Sequence, residues 1–209
     1  VELKDKRVGI STAGGLSEWV VRQLSRKLGL GQQGITPVAL GRDEAQVASL
    51  RAGQIDATVM DFASGLRLEE LGVGRIFLKV SDYVPKMIAQ AVYAGNDAIA
   101  KRPQVMANYM RAMAEASKVM HTDREFVYKV LGKNLRITDR SILDAAYNAE
   151  IKALEPRLSI REESLQAILE DMAQTDPRAK KVRAQELVDS RYLDDMEKSG
   201  FFDQLWAKR

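Results

Sequence analysis

The sequence has no cysteine among its 209 residues, which excludes a disulfide framework and any thiolate-ligated metal. It has a single histidine, His121, and no G-x-S-x-G, P-loop or H-E-x-x-H string. Three common catalytic signatures are therefore missing. No run approaches the roughly 18 apolar residues that a membrane helix needs. The opening Val1-Glu2-Leu3-Lys4 is not a signal peptide and has no initiating methionine, so the chain reads as a processed form or a fragment with a segment before Val1. An excess of one charge sign is also lacking: 32 Lys+Arg stand against 29 Asp+Glu, for a formal charge of +3. Both signs are interspersed along the chain, whereas nucleic-acid binders cluster Lys and Arg, so no nucleic-acid partner is expected. The hydrophobic content of 45% is ordinary for a soluble globular protein, and the length fits one large domain or two lobes.

What is present is organised around Arg7 to Leu30. Val8 to Ser11 reads as a buried strand, Thr12 to Gly15 as a small polar turn, and the rest as an amphipathic helix. Leu16, Val20, Leu24 and Leu28 at fourfold spacing, with Val21 beside them, give that helix one apolar stripe. A strand that feeds a helix in this way points the helix's first N–H groups at whatever lies above the strand's carboxyl end. The later string Gly29-Leu30-Gly31-Gln32-Gln33-Gly34 matches G-x-G-x-x-G. It follows a helix and precedes a strand, the reverse of a dinucleotide site, and is set aside.

Further elements alternate at short spacing. Ile35 to Leu40 reads as a strand, Asp43 with Gln46 as a capping pair opening a short helix, and Gly53 as its end. Ile55 to Met60 reads as a strand, Phe62 to Leu71 as a helix, Arg75 to Val80 as a strand, and Met87 to Ala94 as a fifth strand. The alternation predicts an α/β unit with a parallel sheet over about residues 1–85. From about residue 95 the chain reads as helical. Pro103 starts a long helix whose Met106, Tyr109, Met110, Met113 and Met120 share a face, read as core packing. Thr122 with Glu125 and Ser159 with Glu162 read as capping boxes, Thr138 as a cap between them, and Gly200 as a break in short C-terminal helices. These helices need a sheet to cover their apolar stripes, and none is encoded after residue 95. His121 near a helix end is explained by the helix dipole. Glu162-Glu163 and Asp194-Asp195 are adjacent and diverge on helices, and the run Arg178, Lys180, Lys181, Arg183 reads as a solvated loop.

Lys6-Arg7-Val8-Gly9-Ile10-Ser11, Leu50-Arg51-Ala52-Gly53-Gln54-Ile55-Asp56-Ala57 and Val188-Asp189-Ser190-Arg191-Tyr192-Leu193 together resemble the NMT1/THI5-like solute-binding proteins of bacterial ABC importers, the branch of nitrate, sulfonate, taurine and thiamine-precursor binders. The resemblance implies an α/β, periplasmic-binding-protein-like (type II) two-lobe architecture that closes on a ligand. It implies one α/β lobe at 1–82 (the second lobe of that fold), a hinge or crossover at 83–95, and the mainly helical part of the first lobe at 96–209. The opening of the first lobe would precede Val1. The implied function is non-enzymatic capture of a small polar, zwitterionic or anionic molecule, in the periplasm or on a lipid anchor, with a small-molecule ligand and an inner-membrane ABC permease as partners and no cofactor or metal. Two alternatives share the fold: a pyrimidine-precursor (thiamine) synthase-like enzyme, whose chemistry draws on a histidine, and the ligand-sensing domain of a transcription regulator.

On the family pattern the turn after the first strand faces the cleft, which points to Ser11, Thr12, Gly14, Gly15 and Ser17. Their hydroxyls and N–H groups independently suit a carboxylate, sulfonate or heterocycle edge, or else simply turn the chain and cap the helix. Glu18, in the first helical turn, disfavours a bare strong anion there. Arg42 lies just past a strand end, either solvated or facing an acidic group. Asp61 and Phe62 close the third strand, as a hydrogen-bond acceptor and a stacking face for ligand, or as an N-cap and a core residue. Tyr83 and Tyr93 flank the crossover, for packing or contact.

Overall fold

In the computed structural model, residues 2–31, 33–84, 88, 90–174 and 176–207 are described. Strand β1 (Lys6–Ile10) is central and buries Val8, Gly9 and Ile10. It pairs in parallel with β2 (Ile35–Ala39) on one side and β3 (Ala57–Thr58) on the other, giving the order β2-β1-β3. Pro37 opposes Val8 in β2, and a residue with no N–H to give fits an edge strand. Helix α1 (Leu16–Lys27) covers the sheet, with Val20, Val21 and Leu24 packed among Leu3, Val8, Ile10, Ile35 and Ala57. Leu16, expected in that stripe, is 44% exposed, because it lies in the first turn, beyond the buried stripe that begins at Val20. Helices α2 (Asp43–Arg51) and α3 (Phe62–Glu70) follow β2 and β3.

The string Leu50 to Ala57 has a structural explanation. Gly53 takes φ +67° to end α2, Ile55 is buried, and Asp56 accepts from the Arg7 N–H at 2.8 Å and from its guanidinium at 3.3 Å. That clasp, with the Asp56 N–H donating to the Arg7 carbonyl at 2.8 Å, aligns β3 beside β1.

Several expected elements differ. Only Ala57 and Thr58 of the predicted strand Ile55 to Met60 join the sheet. Residues 74–79 form no strand. They alternate half-buried Ile76 and Leu78 with exposed Phe77 and Lys79, but the Ile76 N–H donates to the Glu69 carboxylate at 2.6 Å instead of to a strand. A short 3-10 turn follows at Val80–Asp82. Of the predicted fifth strand, Met87 and Ala89 lie outside the described residues, and 90–94 have no regular structure. Asp43 is the first residue inside α2, and Arg42 occupies the cap position.

The chain divides into two compact units, residues 1–86 with 137–146, and 87–136 with 147–209. The second unit has no strand among its described residues. It contains α4 (Asn96–Lys101), α5 (Pro103–Thr122), α6 (Arg124–Leu135), α8 (Glu162–Met172), α9 (Arg191–Lys198) and α10 (Phe201–Trp206), while α7 (Arg140–Glu150) runs across the division. One of its buried clusters is Ala114, Met196 and Phe202, with Met110, Leu193 and Trp206 against them, and another is Leu169, Ala179 and Ala184. The fully buried positions of α5 are Ala114 and Ser117, whereas Tyr109 and Met120 of the expected methionine face are 50% and 38% exposed. Small residues take the centre because α9 and α10 pack closely on α5.

Three expected caps move by one or two residues. Asp123, not Thr122, caps α6 by accepting from the Phe126 N–H at 2.9 Å; Thr122 Oγ1 instead donates back to the Lys118 carbonyl at 2.7 Å. Asp139, not Thr138, accepts from Ser141 at the start of α7, and Arg161, not Ser159, precedes α8. At Asp123 and Asp139 a carboxylate outcompetes the neighbouring hydroxyl for helix N–H groups because it accepts more strongly, whereas Arg161 precedes α8 with no side-chain cap bond.

Candidate functional site

Parallel strands place their carboxyl ends on one edge of a sheet, and open α/β sheets bind ligands there. Here that edge collects the β1–α1 turn, the β2–α2 turn and the β3–α3 turn. Hydrogen bonds running past the strand ends hold them in register: Leu40 N–H to Ile10 carbonyl at 2.9 Å, Gly41 N–H to Ser11 carbonyl at 3.1 Å, and Val59 N–H to Gly9 carbonyl at 3.1 Å.

In the first turn Ser11, Thr12 and Gly14 are exposed. Ser17 Oγ accepts from the Ser11 N–H at 3.1 Å and lies 2.9 Å from Ser11 Oγ. The Gly15 N–H donates to the Thr12 carbonyl at 3.1 Å, and a Cβ on Gly15 would stand 3.1 Å from that same oxygen. Gly14 adopts φ +74°, which leads its N–H to the Glu18 carboxylate at 2.6 Å. Glu18 also accepts from Arg22 Nε at 2.9 Å and forms an ion pair with that guanidinium. The Gly14 N–H bond and then Arg22 hold the Glu18 carboxyl below the usual glutamate range. Its side chain is 13% exposed. The start of α1 therefore already carries an ionised carboxylate of the chain itself.

Arg42 is exposed at the second turn. Asp61 is the N-cap of α3: one carboxylate oxygen accepts from the Ser64 N–H and the other from its hydroxyl, both at 2.8 Å. Ser64 Oγ also stands 3.3 Å from the Asp43 carboxylate, bridging the starts of α2 and α3. Phe62 is half-buried, with the Lys79 ammonium 5.7 Å from its ring centre.

The structure thus brings Ser11, Thr12, Gly14, Gly15, Ser17, Arg42, Asp61 and Phe62 to one edge. Tyr83 follows the 3-10 turn with 37% exposure, and Tyr93 is 89% exposed in an irregular stretch. Sequence reasoning missed Ser64, whose spacing Asp61-x-x-Ser64 is a cap signal, and Thr58. It took Gln46 as the partner of Asp43 in a capping pair, whereas the side chain is 1% exposed and bonds the Gly41 carbonyl and Thr58. Among the described residues no group of three or more His, Asp or Glu is arranged to hold a metal, and no helix is long and apolar enough to cross a membrane. His121 lies in the second unit, with Nδ1 2.8 Å from the Ser117 carbonyl and its ring edge-on to Trp206.

A small parallel sheet, helices after each strand and a polar carboxyl edge define an α/β protein of periplasmic-binding-protein-like fold. Known structures share that fold: a protein from Bordetella bronchiseptica RB50 superimposes with a TM-score of 0.74 at 23% identity, over 94% of this chain and 65% of that one. This chain therefore spans just under two thirds of that protein's length. The family model described as NMT1/THI5 like matches residues 1–125, and the chain belongs to that family. The search of curated proteins finds no match.

Proposed function

We propose that this chain acts as the solute-binding component of an ABC importer, capturing a small polar molecule without covalent chemistry and delivering it to a membrane permease outside the cytoplasm. The observation that carries the reading is the carboxyl edge of β2-β1-β3, where the exposed hydroxyls of Ser11 and Thr12, the Arg42 guanidinium and the Asp61 carboxylate share one rim. Membership of a family known for solute binding supports it. The paired Glu18 favours a ligand whose group at the α1 turn is neutral or zwitterionic, since a second anion there would meet a carboxylate already seated on the Gly14 N–H. Population shift between open and closed forms would couple ligand to permease. The same-fold enzyme reading gains nothing from His121, whose ring is occupied by backbone and Trp206.

The test is a thermal-shift and calorimetric screen of the full-length protein against sulfonates, nitrate, aromatic carboxylates and pyrimidines. A true ligand at 100 times its Kd raises stability by about 2.7 kcal/mol. Arg42→Ala and the double variant Ser11→Ala with Thr12→Ala are expected to weaken binding about 10-fold with little change in the unliganded Tm. If no compound in these or wider libraries shifts Tm, or if those variants bind a hit as the parent does, the rim is not the site.

A further inference from the structure

Gln46 is among the most deeply buried polar side chains of the first unit, with 1% exposure, and solute binding by itself leaves it unexplained. It is carried on α2, which crosses from β2 to β3 over β1. Its Nε2 donates to the Gly41 carbonyl at 2.9 Å, and its Oε1 accepts from the Thr58 hydroxyl. The amide orientation is fixed by chemistry, because only the NH2 end can face a carbonyl. Thr58 Oγ1 also lies 3.2 Å from the Gly9 carbonyl. One buried amide thus connects the end of β2 to β3, and Thr58 connects both to β1.

The room for this link comes from Gly9. A Cβ there would stand 2.8 Å from Ile55 Cδ1 and 3.1 Å from Thr58 Oγ1. The two groups Gln46 joins lie directly under the turns that present Arg42 and Asp61, and at the surface Ser64 joins the same two turns by bonding Asp61 and approaching Asp43. An upper and a lower bridge therefore hold α2 and α3 at fixed height on the sheet edge.

We propose that Gln46 is a positioning residue: through Gly41 and Thr58 it locks the β2–α2 and β3–α3 turns into one preorganised rim, so that Arg42 and Asp61 are presented together and ligand binding need not order them. The inference rests on the solute-binding reading for its purpose, but the lock itself is measurable without a ligand. Apolar packing would explain a buried Leu or Met at this position. It does not explain an amide with both ends bonded to the ends of two different strands.

The experiment is amide hydrogen exchange on the full chain without ligand, comparing parent, Gln46→Glu, Gln46→Leu, Thr58→Val and Thr58→Ser. Thr58→Val, the mildest break, is expected to speed exchange at 40–45 and 59–64 about 10-fold, with the β1–α1 helix little affected, and Thr58→Ser is expected to restore the parent rates. Gln46→Glu supplies the readout that packing does not move. A protonated carboxyl can donate to the Gly41 carbonyl, whereas the ionised one cannot. Burial raises such a group's folded pKa above its unfolded value, so protection of both turns is expected at low pH and lost as pH rises through the raised value. Flat pH dependence in Gln46→Glu, or exchange that accelerates evenly over the whole unit in Thr58→Val, would overturn the proposal. Loosened turns in a protein that binds no solute would leave the lock standing and remove only the solute-binding reading.

Discussion

Glu18 was legible in the sequence as an obstacle to anions, but its partners were not. The bond from Gly14 depends on a positive φ that the string Ala13-Gly14-Gly15 permits and does not compel. Glu18→Ala is expected to cost about 0.5–1 kcal/mol at neutral pH, most of it from the lost Gly14 bond, since Arg22 is 48% exposed and its pairing is screened. The Glu18 pKa is depressed in the folded state, so the contribution is present above the unfolded value and lost as pH falls through the depressed one. Urea midpoints of parent and variant should therefore converge in acid; a constant gap would assign the effect to packing. Gly9 makes a second residue-scale case. Gly9→Ala forces a methyl to within 2.8 Å of the buried Ile55 and beside Thr58, with an expected loss of about 1–3 kcal/mol in chemical denaturation. A loss under a few tenths would mean that Ile55 repacks freely.

At the scale of elements, helices were read more reliably than strands or caps. The run through α1 has a 3.6-residue stripe long enough to average out single exceptions such as Leu16. Residues 74–79 have a strand's alternation, yet joining a ladder needs a partner edge in reach, and the sequence does not encode that. Two of the caps were misplaced where two acceptors stand side by side, at Thr122/Asp123 and Thr138/Asp139. Asp123→Ala is expected to lower stability by about 1 kcal/mol, and Thr122→Ala by a few tenths. Equal losses measured by thermal unfolding would return the cap to Thr122. Asp61→Ala should cost a similar amount, because two bonds to Ser64 are lost with it.

For the whole molecule, the second unit combines small buried clusters with large exposed apolar groups, Tyr109 at 50% and Phe126 at 51% among them. Phe202, 1% exposed, packs in one such cluster beside Ala114 and Met196. Phe202→Ala is expected to cost about 3–5 kcal/mol, read as a lowered unfolding midpoint. A loss below about 1 kcal/mol would mean that the cluster is not what holds this unit together. If the proposed capture proceeds by closure, a saturating ligand found in the screen should reduce the radius of gyration of the full-length protein in X-ray scattering, and an unchanged radius would argue for binding without closure.

The amino-acid sequence by itself determined that the chain is an α/β unit followed by helices, and where the first polar turn lies, because periodicity, glycines and short apolar runs are local properties. It also carried the family, through strings such as Leu50 to Ala57 whose work is structural. Only the tertiary structure decided which strand ends share an edge, that Glu18 seats itself on the Gly14 N–H, that Asp61 caps α3, and that Gln46 is buried between the ends of two strands. Those outcomes depend on parallel pairing between segments far apart in the chain, where donors and acceptors meet only after β1 has been enclosed by its two neighbours.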